Sequence, residues 1–192
     1  MMKKHITACL TAAAVMAAPV AVSGTLTVSA GAQEAPAPGA DQKPDVLGRP
    51  TVSDKQVSDE DGYFDSQRGQ GVKIYYRKQK VANPRGAVVL AHGVSEHSGR
   101  YDYVAKRLLD AGYNVYRVDH RGHGKSAGGS VPMGHIDSFQ YILDDFDHVV
   151  DMAKEENQGV KSFLLGHSMG SLTVEAYGCL LYTSPSPRDR QK

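Results

Sequence analysis

The apolar positions of this chain fall into short runs separated by amphipathic segments. Residues 87–91 and 163–165 are continuous apolar runs, and residues 113–118 are rich in tyrosine and valine. Runs of this length are typical of strands, and strands without polar alternation are typical of a parallel sheet covered on both faces. The pattern therefore predicts three buried parallel strands.

Stripes of apolar residues with helical spacing follow the first two of these strands. The first consists of Val104, Ala105, Leu108 and Leu109, and the second of Phe139, Ile142, Leu143, Phe146, Val149, Val150 and Ala153. We predict one helix from about Tyr101 to a stop at Gly112, and another capped by Asp137 with Gln140 three residues on. A third helix begins after the third strand, so the order of elements predicts an α/β fold with right-handed crossovers.

The chain before these units divides into a polar segment and a strand. Residues 72–78 have the β-branched and aromatic content of a strand, which we expect to be antiparallel and at the edge of the sheet. Residues 33–61 are rich in alanine, proline, aspartate and glutamine, which predicts a disordered linker. The predicted folded domain therefore covers residues 62–178.

Both ends of the chain are set apart by composition. Residues 1–32 contain two lysines, an apolar run and a final Ala-Gly-Ala, which predicts a bacterial secretory signal cleaved near Ala32, with an uncleaved membrane anchor as the alternative. Residues 179–192 contain two prolines, which we expect to end the third helix after Gly178. They resemble the in-frame translation of a transposase adapter used in sequencing libraries, and the alternative is a genuine disordered tail. The expected location is secreted or in the cell envelope.

Charge and cysteine content narrow the choice of function. The formal net charge is +1 over the whole chain and becomes slightly negative without the two ends. No basic patch indicates nucleic-acid binding. Cys9 and Cys179, the two cysteines of the chain, both lie in the ends, so the predicted domain forms no disulfide and must be stabilised by packing.

The third predicted strand runs into the pentapeptide Gly-His-Ser-Met-Gly at residues 166–170. Gly-x-Ser-x-Gly at a strand-to-helix corner is typical of a nucleophile elbow, in which Gly166 and Gly170 leave room for a strained backbone. We therefore predict that Ser168 is a nucleophile. The backbone N–H of Met169, at the start of the helix, is the first predicted donor of an oxyanion hole.

Two glycine-rich loops follow the first two parallel strands. Residues 92–101 read His-Gly-Val-Ser-Glu-His-Ser-Gly-Arg-Tyr, and residues 119–126 read Asp-His-Arg-Gly-His-Gly-Lys-Ser. The carboxyl ends of parallel strands meet at one edge of a sheet, where ligands bind in open α/β folds. Both loops are therefore expected beside the elbow.

Acidic and imidazole side chains in these loops allow a second interpretation, a metal site. Its members would be Glu96, Asp119, His120 and His123. These residues lie in separate glycine loops and show no helical His-x-x-x-His pairing. We therefore favour hydrogen bonds between these side chains and the loop backbone, and we predict no metal and no cofactor.

The elbow and the two loops together resemble the monoacylglycerol lipase and lysophospholipase branch of the α/β-hydrolase fold, a domain of the serine aminopeptidase S33 type. The resemblance covers about residues 71–178, the N-terminal half of that fold. It implies a mostly parallel sheet with flanking helices, and Val94 as the second oxyanion donor. It also implies a small acyl ester or lipid substrate, and transient contact with a membrane surface through a lid. The residues expected to support the elbow and pocket are His92, Gly93, Gly166, His167 and Gly170.

The chain departs from this family pattern in two ways. Ser171 stands where relatives often carry a second glycine. In the family the catalytic acid and histidine follow the serine, and neither Asp nor His occurs between Ser168 and residue 179. By this pattern no catalytic role falls to the histidines of the two loops and the elbow, which all precede the serine: His92, His97, His120, His123 and His167.

The resemblance implies a secreted serine hydrolase that cleaves monoacylglycerol-like or lysophospholipid-like esters through an acyl-enzyme. A serine peptidase of the aminopeptidase type is an alternative, because the same elbow serves amide bonds. A non-catalytic fragment or binding module is the second alternative. Because no Asp or His occurs between Ser168 and residue 179, we expect the 192-residue chain to be inactive.

Overall fold

The structure described here is a computed structural model. It describes residues 44–45, 47–69 and 71–183. The predicted export signal at residues 1–32 and the last residues of the predicted tail, 184–192, lie outside the described residues.

Five strands form one open sheet in the order β1-β2-β4-β3-β5. The strands are β1 (Gln56–Asp65), β2 (Lys73–Val81), β3 (Gly86–Ala91), β4 (Tyr113–Val118) and β5 (Lys161–Gly166). Strands β4, β3 and β5 are parallel, whereas β1 and β2 form an antiparallel pair that joins β4 through β2. The three predicted parallel strands are therefore present, and the α/β prediction is confirmed. The predicted burial holds for β3 and most of β4 but not for β5, which lies at the edge of the described sheet and is only partly buried.

Three helices pack on this sheet, and their bounds are α1 (Asp102–Asp110), α2 (Phe139–Glu156) and α3 (Met169–Thr183). Short 3₁₀ turns at Ser98–Tyr101 and Gly124–Ser126 lie in the two glycine-rich loops. Gly112 adopts a φ of 85° directly after α1, as expected for the glycine that stops this helix.

The edge of the sheet differs from the sequence expectation. The predicted edge strand is β2, which is antiparallel as expected but lies inside the sheet, because β1 pairs with its outer side. Strand β1 begins at Gln56, within the segment predicted as linker. Its polar sequence forms a strand because acidic side chains face basic ones on β2, with Asp59 paired to Arg77 and Glu60 to Lys78.

The start of α2 and the end of α3 also differ from the sequence prediction. The residue that caps α2 is Ser138, whose hydroxyl accepts a hydrogen bond from Gln140 N–H, whereas the expected cap, Asp137, contacts Arg121 and His135 instead. Helix α3 continues to Thr183 rather than ending after Gly178. The first proline after Gly178 is Pro185, so no residue before it lacks the N–H that the helix needs.

The core lies on both faces of the parallel strands. On one face, β3 and β4 pack against α2 and α3 through Val89, Tyr116, Phe146, Val150 and Tyr177. On the other face, Val115 of β4 packs against Ala105 and Leu109 of α1. All six residues of β3 are buried, so the strand that leads to the first glycine-rich loop is the most enclosed element of the sheet. Of the helices in the described part of the chain, none has the length and apolar content needed to cross a membrane.

Candidate active site

The corner between β5 and α3 is strained at one residue. Ser168 has a φ of 54°, in the left-handed region that side chains other than glycine rarely adopt. A Cβ at Gly166 would lie 2.3 Å from the carbonyl oxygen of Gly170, and a Cβ at Gly170 would lie 2.1 Å from that of Ala91. Both glycines are therefore needed for the close approach of β3, β5 and α3, which is the geometry of a nucleophile elbow.

The Ser168 side chain lies at the surface of this corner and is exposed. Its Oγ makes no hydrogen bond with any described residue. A hydroxyl in this position is accessible to a substrate but is not activated by a base.

Two backbone N–H groups beside Ser168 are free to bind an anion. Met169 is the first residue of α3, and neither its N–H nor that of Val94 donates a hydrogen bond within the described part of the chain. The loop that carries Val94 reaches the elbow, because a Cβ at Gly93 would lie 3.0 Å from Ser168 Cβ. The structure thus brings the two predicted oxyanion donors to the same corner as the predicted nucleophile.

His92 is buried at the end of β3 and holds this loop. Its Nε2 accepts a hydrogen bond of 2.9 Å from His120 N–H, so the ring proton is on Nδ1, which donates to the Gly93 carbonyl at 2.7 Å. Burial lowers the pKa of His92 below its ordinary value of 6.5, which favours this neutral form. The role of His92 is therefore to orient the loop.

Glu96 links the loop to the elbow. Its Oε1 accepts hydrogen bonds from Gly93 N–H at 2.5 Å, from Tyr101 Oη at 2.5 Å and from His167 Nδ1 at 2.9 Å. Partial burial opposes ionisation, but these three donors outweigh it and lower the pKa of Glu96. Sequence reasoning considered Glu96 only as a metal ligand. No sequence pattern marks this role, because the partners of Glu96 meet it only in the folded chain.

The second glycine-rich loop is fastened to the first by Asp119. Its two carboxylate oxygens accept hydrogen bonds from Ser98 N–H at 2.7 Å and Lys125 N–H at 2.8 Å. The rings of His120 and His123 lie 4.5 and 5.5 Å from that of His92. Among the described residues, no group of three or more His, Cys, Asp or Glu side chains is arranged to hold a metal ion.

No histidine among the described residues forms a hydrogen bond with the Ser168 hydroxyl. His97 accepts a hydrogen bond from Gly99 N–H, and the His167 ring is directed to Glu96. The rings of His92 and His120 are buried in the two loops, and both nitrogens of His92 form hydrogen bonds with loop backbone. The described residues thus place the exposed Ser168 hydroxyl beside two backbone N–H groups, with no imidazole hydrogen-bonded to its Oγ.

The sequence of this chain is similar to one protein-family model and to several lipases. Residues 82–186 match the family model described as serine aminopeptidase, S33. A monoacylglycerol lipase from Mycolicibacterium smegmatis is 45% identical over 109 residues, which are 56% of this chain and 38% of that protein. Monoglyceride lipase from Homo sapiens is 39% identical over 90 residues, or 47% of this chain and 29% of that protein.

The fold of the chain is also similar to that of a solved lipase structure. A soluble variant of monoglyceride lipase from Saccharomyces cerevisiae, in complex with a substrate analogue, superposes with a TM-score of 0.55 at 27% identity. The superposition covers 62% of this chain and 39% of that one. The chain therefore spans well under half the length of the relatives it matches, and its sheet corresponds to part of their fold.

Proposed function

Because the chain belongs to the serine aminopeptidase S33 family of α/β-hydrolases, whose lipase and esterase members are its relatives, we propose that the whole protein is a serine ester hydrolase. We propose monoacylglycerols or lysophospholipids as the substrate class. The observation that carries this proposal is the exposed, positive-φ Ser168 beside two unpaired backbone N–H groups, those of Val94 and Met169. This arrangement suits attack on a carbonyl group.

The proposed reaction follows from this geometry. Ser168 Oγ attacks the ester carbonyl, and its proton passes to a base outside the described residues and from there to the departing alkoxide. The carbonyl oxygen becomes an oxyanion that accepts hydrogen bonds from Val94 and Met169 N–H. Collapse of this intermediate releases the alcohol and leaves an acyl group on Ser168. Water then attacks the acyl-enzyme, the same two N–H groups stabilise the second oxyanion, and the free acid leaves.

A serine peptidase of the aminopeptidase type is the second candidate, favoured by the name of the matching family. The test compares a monoacylglycerol, a lysophospholipid and an aminoacyl p-nitroanilide as substrates of the protein encoded by the uninterrupted source locus. Ester cleavage at a kcat/KM at least about a hundredfold above that for the anilide is expected. The reverse preference would establish the peptidase, and binding without cleavage of any of the three would establish a binding module.

For the 192-residue chain alone, we propose that no sustained ester turnover occurs. All eight histidines of the sequence precede Ser168, and within residues 44–183 no imidazole donates to or accepts from its Oγ. Oxyanion donors by themselves leave the hydroxyl without a proton acceptor. Steady release of p-nitrophenol from a p-nitrophenyl ester by this chain, lost in Ser168→Ala, would contradict this proposal.

The proposed adapter origin of residues 179–192 has its own test, which is to resequence the source locus past the codon for Gly178.

Export is also proposed, from the lysines, apolar run and Ala-Gly-Ala pattern of residues 1–32. The intact mass of the protein recovered outside the cytoplasm should correspond to a chain that begins near residue 33. A recovered protein that still carries residues 2–32 would instead support the membrane anchor.

A further inference from the structure

A single carboxylate oxygen joins three elements of the candidate site. Oε1 of Glu96 accepts hydrogen bonds from Gly93 N–H, from the hydroxyl of Tyr101 at the end of the 3₁₀ turn, and from His167 in the elbow. Resting on the proposed function, we propose that Glu96 is a positioning residue that holds residues 92–97, the oxyanion loop, against the nucleophile elbow.

The hydrogen bonds around Gly93 determine the direction of the Val94 N–H. Gly93 N–H is bound by Glu96 at 2.5 Å, and Gly93 C=O is bound by His92 Nδ1 at 2.7 Å. The Gly93 carbonyl and the Val94 N–H belong to one planar trans peptide, so they point in opposite directions. Holding both polar groups of Gly93 therefore fixes the donor that is proposed to bind the oxyanion.

The same contacts set the distance between loop and elbow. A Cβ at Gly93 would lie 2.6 Å from Glu96 Oε1, 3.0 Å from Ser168 Cβ and 3.2 Å from His167 Nδ1. No side chain fits in this space, so the backbone of the loop rests directly on the elbow. Because His167 directly precedes Ser168, its hydrogen bond to Glu96 ties the loop to the residue next to the nucleophile.

The charge of Glu96 suits this role. Its side chain is 13% exposed, and the groups that face it are the Tyr101 hydroxyl, the His167 ring, Gly93 N–H and the Arg100 guanidinium, 4.0 Å from Oε2. Three donors on one oxygen require the full negative charge of a carboxylate. A neutral side chain at this position would hold the loop less firmly.

The first test measures amide hydrogen exchange by NMR in the full 192-residue chain and in Glu96→Gln. We expect Gly93 N–H to exchange about tenfold faster in the variant, because a charge-assisted hydrogen bond is replaced by a weaker one. Gly112 N–H, which donates to the Leu109 carbonyl, should be unchanged and serves as the internal reference. Glu155→Gln removes the same charge from an exposed position of α2 and should leave Gly93 unaffected.

A titration of the unmodified chain provides a measurement that needs no variant to fold. The resonances of Gly93 and Val94 amides should shift together as Glu96 is protonated at a pH below its ordinary pKa of 4.5. Unchanged exchange at Gly93 in a folded Glu96→Gln, or Gly93 and Val94 resonances that do not follow this titration, would overturn the proposal.

Kinetics of the whole protein separate positioning from substrate binding. Glu96→Gln should lower kcat about tenfold and leave KM within about twofold, because the oxyanion forms only after attack. An effect confined to KM would overturn the positioning role. Absence of ester hydrolysis in the unmodified protein would contradict the proposed function, whereas the exchange measurement decides the role of Glu96 independently.

Discussion

At the scale of single residues, the strained turn at Ser168 was predictable and the contacts that support it were not. Gly-x-Ser-x-Gly after an apolar run identifies Ser168, since few other arrangements need glycine on both sides of a serine. The Glu96 contact was not predictable, because a lone glutamate in a glycine-rich loop has no sequence pattern of its own. Its partners come from 3, 5 and 71 residues away and meet only in the folded chain.

The elbow glycines give the sharpest prediction at this scale. Gly170→Ala should destabilise the chain by about 3 kcal/mol or more, because the new Cβ would lie 2.1 Å from the rigid Ala91 carbonyl. Gly178→Ala, in the same helix with no atom within 4 Å of the new Cβ, should instead stabilise by about 0.5–1 kcal/mol. Urea unfolding of both variants measures the difference, and equal effects would show that the elbow is not tightly packed.

At the scale of elements, the pattern of apolar residues predicted the positions of the parallel strands and most of the stripes of α1 and α2. It overestimated burial, because no residue of β5 is fully buried and Val104 and Phe139 are exposed. Strand β1 was missed because its sequence is polar and acidic, and its stability comes from a partner strand. The composition of a segment indicates only how much apolar surface it can bury. Strand β1 is instead held by ion pairs with the basic β2. Helix α3 was expected too short because the prolines that follow it were given too much weight.

Removal of different ion pairs of β1 should lower the free energy of unfolding by different amounts, depending on how buried each pair is. Arg77 binds both carboxylate oxygens of Asp59 and also Asp102, and its side chain is 29% exposed. Arg77→Gln should therefore cost about 1–2 kcal/mol, because the partly buried Asp59 loses its cation and Asp102 keeps only Arg117. The exposed pair of Lys73 and Asp65 provides the control, and Lys73→Gln should cost less than about 0.5 kcal/mol. Similar losses in both variants would argue against a specific role of Arg77 in joining β1.

At the scale of the whole molecule, the enclosed histidines couple stability to pH. Burial is the main cause that lowers the pKa of His92 below 6.5 and that of His120 well below 6.5, and the other loop histidines add to the effect on His120. The native chain thus keeps both rings neutral, while the unfolded chain binds protons below pH 6.5. The two neutral rings therefore cost no stability well above pH 6.5, and the free energy of unfolding decreases as the pH falls below 6.5.

Urea unfolding between pH 7.5 and 5.5 measures this coupling. The free energy of unfolding should fall over this range, by at most about 2.7 kcal/mol, which is the limit for two imidazoles that bind protons only in the unfolded chain. His120→Gln removes one titrating group and should reduce the slope, whereas His135→Gln, at an exposed position, should retain it. A free energy that does not change with pH would mean that neither ring is enclosed as described.

The central claim, that Ser168 is the nucleophile of an ester hydrolase, is tested most directly by one comparison of rates. The assay uses p-nitrophenyl esters and a monoacylglycerol. It compares the whole protein with its Ser168→Ala variant and with Ser130→Ala, which changes an exposed serine. Ser168→Ala should lower kcat at least about a thousandfold, and Ser130→Ala should retain the full rate. A Ser168→Ala protein that hydrolyses these esters at the unmodified rate would contradict the account.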